Sequence, residues 1–152
     1  MLCDLVAGKR TEAGGGPPTD NLLREGDLVI LDLFPLIAGY RADITNTLCV
    51  GEPTPAQRDH LSLLQEAMRS AEAVLKPGVT GAQVYAACRR PLAEAGIAEL
   101  FFHHAGHGLG LGHPEPPYLV PGSEDVLQAG NVVTLEPGAY KQIGRASCRE
   151  RV

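Results

Sequence analysis

An aspartate stands inside an otherwise apolar segment of this chain. Residues 28–34 are apolar apart from Asp32, and residues 40–50 alternate well enough to form the antiparallel partner, with a turn at 35–39. Burying a carboxylate without a compensating partner is costly. In a symmetric hairpin around this turn, Asp32 would lie directly opposite Asp43, with Cβ atoms roughly 5 Å apart. The sequence therefore predicts two acids that face each other across one hairpin.

Two facing carboxylates repel each other unless a proton or a cation lies between them. A shared proton would give a dyad of the aspartic-protease type, and bound cations would give a metal site. Cations are favoured, because Thr45 and Thr47 follow Asp43 on one face of the predicted strand. A structural alternative, in which Asp32 caps a loop or pairs with Arg41, stays open.

Two capping boxes predict two helices after the hairpin. Thr54 with Gln57 forms the first box, and Thr80 with Gln83 forms the second. Apolar residues at helical spacing follow the first box and end before Pro77, which predicts a long helix with one buried face. The second apolar stripe is weaker.

The remaining pattern favours an α+β fold. We expect Pro91 to kink the second helix, because proline removes a helical hydrogen bond. Short apolar segments at 98–102 and 131–135 predict strands, and the loops between them are rich in glycine, histidine and proline. A hairpin, then two helices, then strands and loops differs from the regular alternation of a parallel α/β protein.

The bulk composition excludes several classes of protein. The chain has 152 residues, 44% hydrophobic and 20% charged, with a formal net charge of −5 and scattered basic residues. We therefore expect no nucleic-acid partner. No apolar run reaches the roughly 18 residues of a membrane span, so no membrane partner is expected. The first residues lack the basic and apolar segments of a signal peptide, and we expect none. Four widely spaced cysteines without a CxxC pair indicate a reducing, cytoplasmic location.

A histidine-rich loop and a late glutamate supply further candidate ligands. His107 stands between Gly106 and Gly108, and flanking glycines let a backbone approach an ion closely. The loop lacks the third glycine of a GxGxxG dinucleotide motif. Further histidines in this region are His103, His104 and His113. Glu136 ends an apolar segment at a Pro-Gly turn. Taken singly, a structural histidine and a solvated glutamate remain alternatives.

Together these residues resemble a family of metallopeptidases. The ordered set is Asp32, Asp43, Gly-His107-Gly and Leu-Glu136-Pro-Gly. It is similar to the family of methionine aminopeptidases, Xaa-Pro aminopeptidases and prolidases. The likeness is greatest to the Xaa-Pro aminopeptidase and prolidase branch, through Gly39-Tyr40, Asp43-Ile44-Thr45-Asn46-Thr47 and His103 four residues before His107. The resemblance implies a partial pita-bread fold of the α+β class.

The resemblance also implies a site with two divalent metal ions, which would be Mn, Co, Fe or Zn. The metal ligands that carry over are Asp32, Asp43, His107 and Glu136, and Glu136 would also be the general base. The other candidates are His103 and His113 for catalysis, and Tyr40 and His103 for substrate binding.

The chain departs from the family pattern at several positions. The second ligand glutamate of the family is absent from its expected place beyond the Glu-Pro-Gly turn. Gly15 stands where the family has a substrate-side histidine, and Asn46 stands where an arginine is usual. A further family histidine would fall at Pro114, so His113 lies one residue early.

Residues 143–152 are interpreted as a non-native tail. They show no apolar period and follow no capping or turn pattern. They can be encoded by ATC GGA AGA GCG TCG TGT AGG GAA AGA GTG, which resembles a short-read sequencing adapter. We therefore expect a partial catalytic domain at 1–142 and exclude the tail from fold reasoning.

The resemblance implies an exopeptidase that uses two metals, either an Xaa-Pro aminopeptidase or a dipeptidase, here truncated and inactive. Its partner would be a peptide substrate with proline at the second position, and the full-length protein could form a homodimer. Two alternatives stay open: a non-catalytic peptide- or partner-binding relative, and a creatinase-like amidinohydrolase of the same fold. Gly15 is the best argument for the binding relative. The retained acids and His107 argue against both alternatives.

Overall fold

A three-stranded antiparallel sheet carries the two acids of the hairpin. The structure is a computed structural model, which describes residues 3–140 and the backbone of 148–149. The sheet has the order β1-β2-β5 and comprises β1 (Cys3–Ala7), β2 (Leu28–Leu33) and β5 (Ile44–Cys49). One face is buried and holds Val6 and Ile30, both without exposed surface. Because side chains alternate along a strand, Asp32 shares this buried face with Ile30.

The hairpin register differs from the predicted one. Two short strands, β3 (Leu36–Ile37) and β4 (Tyr40–Arg41), pair next to a two-residue turn in which Ala38 has φ 51° and Gly39 has φ 87°. Both positive φ angles are typical of a type I′ hairpin turn. The turn therefore centres one residue later than expected, and Asp32 pairs with Thr45. The prediction that Asp32 lies directly opposite Asp43 is wrong.

Both predicted helices are present with their capping boxes. Helix α1 spans Pro55–Glu72 and helix α2 spans Gly81–Glu94, and in each the threonine and glutamine exchange both capping hydrogen bonds. Helix α2 continues through Pro91, which is buried. The helices pack on each other and on the chain beyond them. The fully buried core residues here are Leu64, Ala67, Ala71, Val84, Cys88, Leu92, Ala105, Leu119 and Ala139.

Two predicted strands take other forms. Residues 98–102 do not form a strand, because Ala98–Leu100 is one turn of 3-10 helix. The segment 131–135 forms only an isolated bridge, between Val133 and Gly108 of strand β6 (Gly106–Gly108). Backbone hydrogen bonds nevertheless run along it from β6, so it is extended where it approaches the site. Short apolar segments do not distinguish these possibilities by sequence alone.

The end of the chain adds three short strands. Strand β7 (Glu115–Leu119) pairs with β6, and β8 (Gly138–Ala139) pairs with β9 (Cys148–Arg149). Most of the segment 143–152 lies outside the described residues, so its interpretation as a non-native tail stays a prediction. Within the described ranges, no helix combines the length and apolar character that crossing a bilayer requires. Antiparallel strands with two main helices confirm the predicted α+β class.

Candidate metal centre

The two hairpin acids lie on the buried side of the sheet. Asp32 is 1% exposed, and its Oδ1 accepts a hydrogen bond from the Thr45 hydroxyl at 2.7 Å. Asp43 lies just before β5, and its side chain is fully buried. The Arg41 amide donates to the Gly110 carbonyl at 2.8 Å. This bond ties the hairpin to the histidine-rich loop, so Asp43 is held against that loop.

His107 and Glu136 are brought together by adjacent backbones. The Thr134 amide donates to the carbonyl of His107 at 2.9 Å, and the Glu136 amide donates to the carbonyl of Ala105 at 2.8 Å. Gly106 is required here, because a Cβ atom at this residue would overlap the Thr134 carbonyl. The close approach that glycine permits therefore places the two side chains next to each other.

The His107 ring faces both buried acids. Its Nε2 lies 3.2 Å from Oε1 of Glu136 and 3.5 Å from Oδ2 of Asp43. Its Nδ1 lies 2.8 Å from the Gly108 carbonyl oxygen, which can only accept, so Nδ1 carries the proton. Nε2 therefore faces two carboxylate oxygens. Three such acceptor atoms repel one another unless a proton or a cation lies among them.

His113 reaches the same carboxylate oxygen of Asp43. Its Nε2 lies 2.8 Å from Oδ2 of Asp43, and its ring contacts those of Phe34 and His107. Burial lowers the pKa of His113 below its ordinary 6.5, and the nearby His107 and Arg41 lower it further. A backbone hydrogen bond of His113 and the charge of Asp32 raise this pKa, but by less. The ring is therefore neutral at pH 7 and suited to coordinate a metal.

Two groups of three donors meet at the site. Asp43, His107 and His113 each offer one ligand atom, and these atoms lie within 4.8 Å of one another. The same holds for the second group, His103, His104 and Glu136. Among the described residues, Asp32 belongs to neither group, although it shares the sheet face with Thr45. Carboxylate oxygens with imidazole nitrogens suit Mn, Fe, Co or Zn, so the residues fit a divalent metal.

His103 is connected to the site through its neighbours. Its Nδ1 donates to the His104 carbonyl at 2.7 Å, so its Nε2 accepts from the Tyr140 hydroxyl at 2.9 Å. Nδ1 of His104 in turn lies 3.8 Å from Oε1 of Glu136. His103 therefore lies in a cluster with Glu136, and its phenol partner was not predicted from the sequence. Its catalytic and substrate-binding roles stay predictions.

Thr134 and Tyr140 are the supporting residues that sequence reasoning missed. The Thr134 hydroxyl donates to Oε1 of Glu136 at 2.7 Å and accepts from the His107 amide at 3.2 Å. Its position two residues before Glu136 on an extended segment was the available signal. Tyr140 had no comparable signal, because its partner His103 lies 37 residues away.

Two further sequence candidates have different surroundings. Tyr40 is 65% exposed on the hairpin, and within the described ranges no hydrogen bond or ring contact joins it to the acids and histidines. The structure therefore does not bring Tyr40 into the cluster. At Gly15, a Cβ atom would lie 2.5 Å from Oδ2 of Asp4, which occupies the space next to this glycine.

Comparison with known proteins identifies the family. Residues 4–150 match the model of Metallopeptidase family M24. The chain belongs to this family. It is 46% identical over 123 residues to the "Probable dipeptidase PepE" of Mycobacterium tuberculosis, covering 80% of this chain and 33% of that protein. It is 38% identical over 136 residues to the Xaa-Pro dipeptidase of Pyrococcus horikoshii, covering 90% of this chain and 39% of that protein.

Solved structures of family members share the fold. Dipeptidase PepE from Mycobacterium ulcerans superposes with a TM-score of 0.93 at 39% identity, over 99% of this chain and 41% of that one. Prolidase from Pyrococcus furiosus gives a TM-score of 0.93 at 34% identity, over 99% and 44%. The predicted partial pita-bread fold is confirmed. The chain spans between a third and about two fifths of the curated M24 relatives described here.

Proposed function

We propose that this chain carries part of the active site of an exopeptidase that uses two divalent metal ions. The observation that carries the proposal is the position of His107 Nε2 between carboxylate oxygens of Asp43 and Glu136, at 3.5 and 3.2 Å. Three buried acceptor atoms that face one another call for a proton or a cation, and carboxylate oxygens with an imidazole nitrogen suit a divalent cation. Asp32, Asp43, His107 and Glu136 are the proposed metal ligands, and the metal would be Mn, Co, Fe or Zn.

Divalent ions held there would act as Lewis acids toward the scissile carbonyl and the attacking water. Glu136 is the proposed general base, because its carboxylate is fully buried and its Oε1 is fixed by the Thr134 hydroxyl. A proton accepted by this carboxylate can pass to the leaving amine without leaving the site. Burial of Asp32 and Asp43 excludes bulk water from the same region.

The histidines beside the acids are proposed to contact substrate. His103 is oriented by Tyr140 and the His104 carbonyl, so its ring is held in one position next to Glu136. His113 lies 2.8 Å from Asp43 with its side chain 17% exposed, which leaves part of the ring accessible to a substrate. Tyr40 lies at the surface of the hairpin, and its proposed contact with substrate requires the peptide to extend over this hairpin.

The proposed substrate is a peptide with proline at the second position. The support is the similarity to a protein named Xaa-Pro dipeptidase, together with the prolidase likeness of the fold. A cytoplasmic location and a homodimer at full length belong to the same proposal. Substrate, location and oligomeric state are proposed for the full-length protein.

The test is a peptidase assay on the full-length protein after its metals have been removed by a chelator. Addition of Mn²⁺, Co²⁺ or Zn²⁺ should restore cleavage of alanyl-proline, and alanyl-alanine is the matched control substrate. Absence of metal-dependent cleavage for every peptide tried would end the exopeptidase proposal. Equal cleavage of both dipeptides would contradict only the preference for proline.

A non-catalytic peptide-binding relative is the second candidate. It is favoured by Gly15, where the family histidine is absent and Asp4 occupies the adjoining space. In that case the protein would bind proline-containing peptides by calorimetry and show no turnover with any metal. Creatinase-like amidinohydrolysis is disfavoured, because it proceeds without the metals that the buried acids call for.

A further inference from the structure

The position of His113 is more specific than a substrate contact requires. Its Nε2 lies 2.8 Å from Oδ2 of Asp43, and the donor atoms of Asp43, His107 and His113 lie within 4.8 Å of one another. One ion placed among three such atoms can contact all of them.

The surrounding structure holds the His113 ring in place. Oε2 of Glu115 accepts the Gly112 amide at 2.6 Å, which fixes the loop just before and after His113. The ring centroid lies 4.7 Å from that of Phe34 and 5.1 Å from that of His107. A ring held by two neighbouring rings loses little further freedom when it binds a ligand, which favours coordination.

We propose that His113 is itself a metal ligand, so that Asp43, His107 and His113 form a nitrogen-rich subsite for one transition-metal ion. The inference rests on the proposed function, which already assigns Asp43 and His107 to a metal. When the ion binds, the neutral ring coordinates through Nε2 and carries its single proton on Nδ1, so a proton on Nε2 beside Asp43 would move to Nδ1 by exchange with solvent.

The ligand set predicts a metal preference. Two imidazoles and one carboxylate suit Zn²⁺ and Co²⁺, whereas Mn²⁺ prefers oxygen donors. Three protein ligands also leave a coordination position open, which is typical of catalytic zinc sites. The subsite should therefore bind Co²⁺ and Zn²⁺ more tightly than Mn²⁺, and removal of one imidazole should reduce this difference.

The test is titration of the full-length protein with Co²⁺, followed by visible absorption and by competition with a chelator. His113→Ala should weaken Co²⁺ binding at the tighter site at least tenfold. Loss of a group that only hydrogen-bonds to a ligand already costs about 10- to 100-fold in metal affinity, and loss of a ligand should cost no less. It should also change the ligand-field spectrum and affect Mn²⁺ binding less. His113→Gln, which keeps more of the side-chain volume, replaces it if circular dichroism shows that the alanine variant is unfolded.

Two comparison variants separate the possible outcomes. His60→Gln removes an imidazole outside the cluster but keeps a donor for the Ala139 carbonyl, 3.0 Å away, and should leave the titration unchanged. If His107→Ala weakens binding and the His113 variants do not, His113 is no ligand and the proposed function stands. If neither position affects binding, both proposals fail.

Discussion

Nε2 of His107 lies 3.2 Å from Oε1 of Glu136, and the Thr134 hydroxyl holds the same oxygen at 2.7 Å. The glutamate therefore has one oxygen whose position is fixed from two directions. A group fixed in this way is suited to move a proton at a defined place, which is the role proposed for Glu136.

Glu136→Gln should remove the general base while keeping the shape of the side chain. We expect kcat for alanyl-proline to fall by about 10²- to 10⁴-fold in the metal-loaded full-length protein. Steady-state kinetics with metal analysis of each preparation makes the measurement. Glu124→Gln, at an exposed position, is the control and should retain activity. Full activity in the Glu136 variant would exclude its catalytic role.

Gly106→Ala should destabilise the protein, because the added Cβ would overlap the Thr134 carbonyl and Gly106 has φ 152°. We expect a loss of about 2 kcal/mol or more in the free energy of unfolding. The matched control is Gly130→Ala, where φ is also positive but no atom lies within 4 Å, and its cost should be about 1 kcal/mol. Urea unfolding measures both. Equal losses of stability in the two variants would show that backbone strain alone, without the overlap with Thr134, explains the effect of Gly106→Ala.

Cys88 should resist alkylation until the protein unfolds. Burial raises the pKa of its thiol to about 12, from an ordinary value of 9.0. Iodoacetamide followed by peptide mapping should modify the partly exposed Cys3 and Cys49 before Cys88. Rapid labelling of Cys88 under native conditions would contradict the packing of α2.

The same thiol predicts a dependence of stability on pH. The folded state keeps Cys88 protonated, so its contribution is complete below pH 9.0 and is lost as the pH rises toward about 12. The free energy of unfolding should fall by up to about 1.4 kcal/mol per pH unit in this window. Cys88→Ala should show a smaller slope in parallel urea titrations. Identical slopes would mean that Cys88 does not titrate differently in the two states.

Thr54→Ala should weaken the start of α1. The Thr54 hydroxyl accepts the Gln57 amide at 3.2 Å, and alanine cannot replace it. We expect a loss of about 1 kcal/mol in the free energy of unfolding. Thermal unfolding compares it with Ser62→Ala, an exposed position inside the same helix that should not be destabilised. No difference between the two variants would argue against the capping box as a source of stability.

The sequence predicted what depends on neighbours in the chain. Both capping boxes involve residues three apart, and both helices begin where these boxes are. The hairpin register was wrong because Ala38, a residue without a turn preference, adopts positive φ. The prediction of a strand at 98–102 was wrong, because a short, mostly apolar segment fits either a strand or one helical turn.

The site was predicted in part for a related reason. Asp32, Asp43, His107 and Glu136 were recognised as an ordered set, and the structure buries all four. Their roles as metal ligands stay predictions. The contact between His113 and Asp43 joins residues 70 apart, and that between His103 and Tyr140 joins residues 37 apart. Spacing along a chain carries no information on such pairs until the fold brings them together.

Hydrogen bonds between β6 and the segment before Glu136 join Leu109 to Val132, His107 to Thr134 and Glu136 to Ala105. The backbones of His107 and Glu136 are therefore held together by one ladder, and neither can shift relative to the other without breaking hydrogen bonds. Little conformational entropy remains to be lost when a cation arrives. The backbone thus brings the proposed donors together, and a cation bound among them would offset the repulsion between their lone pairs.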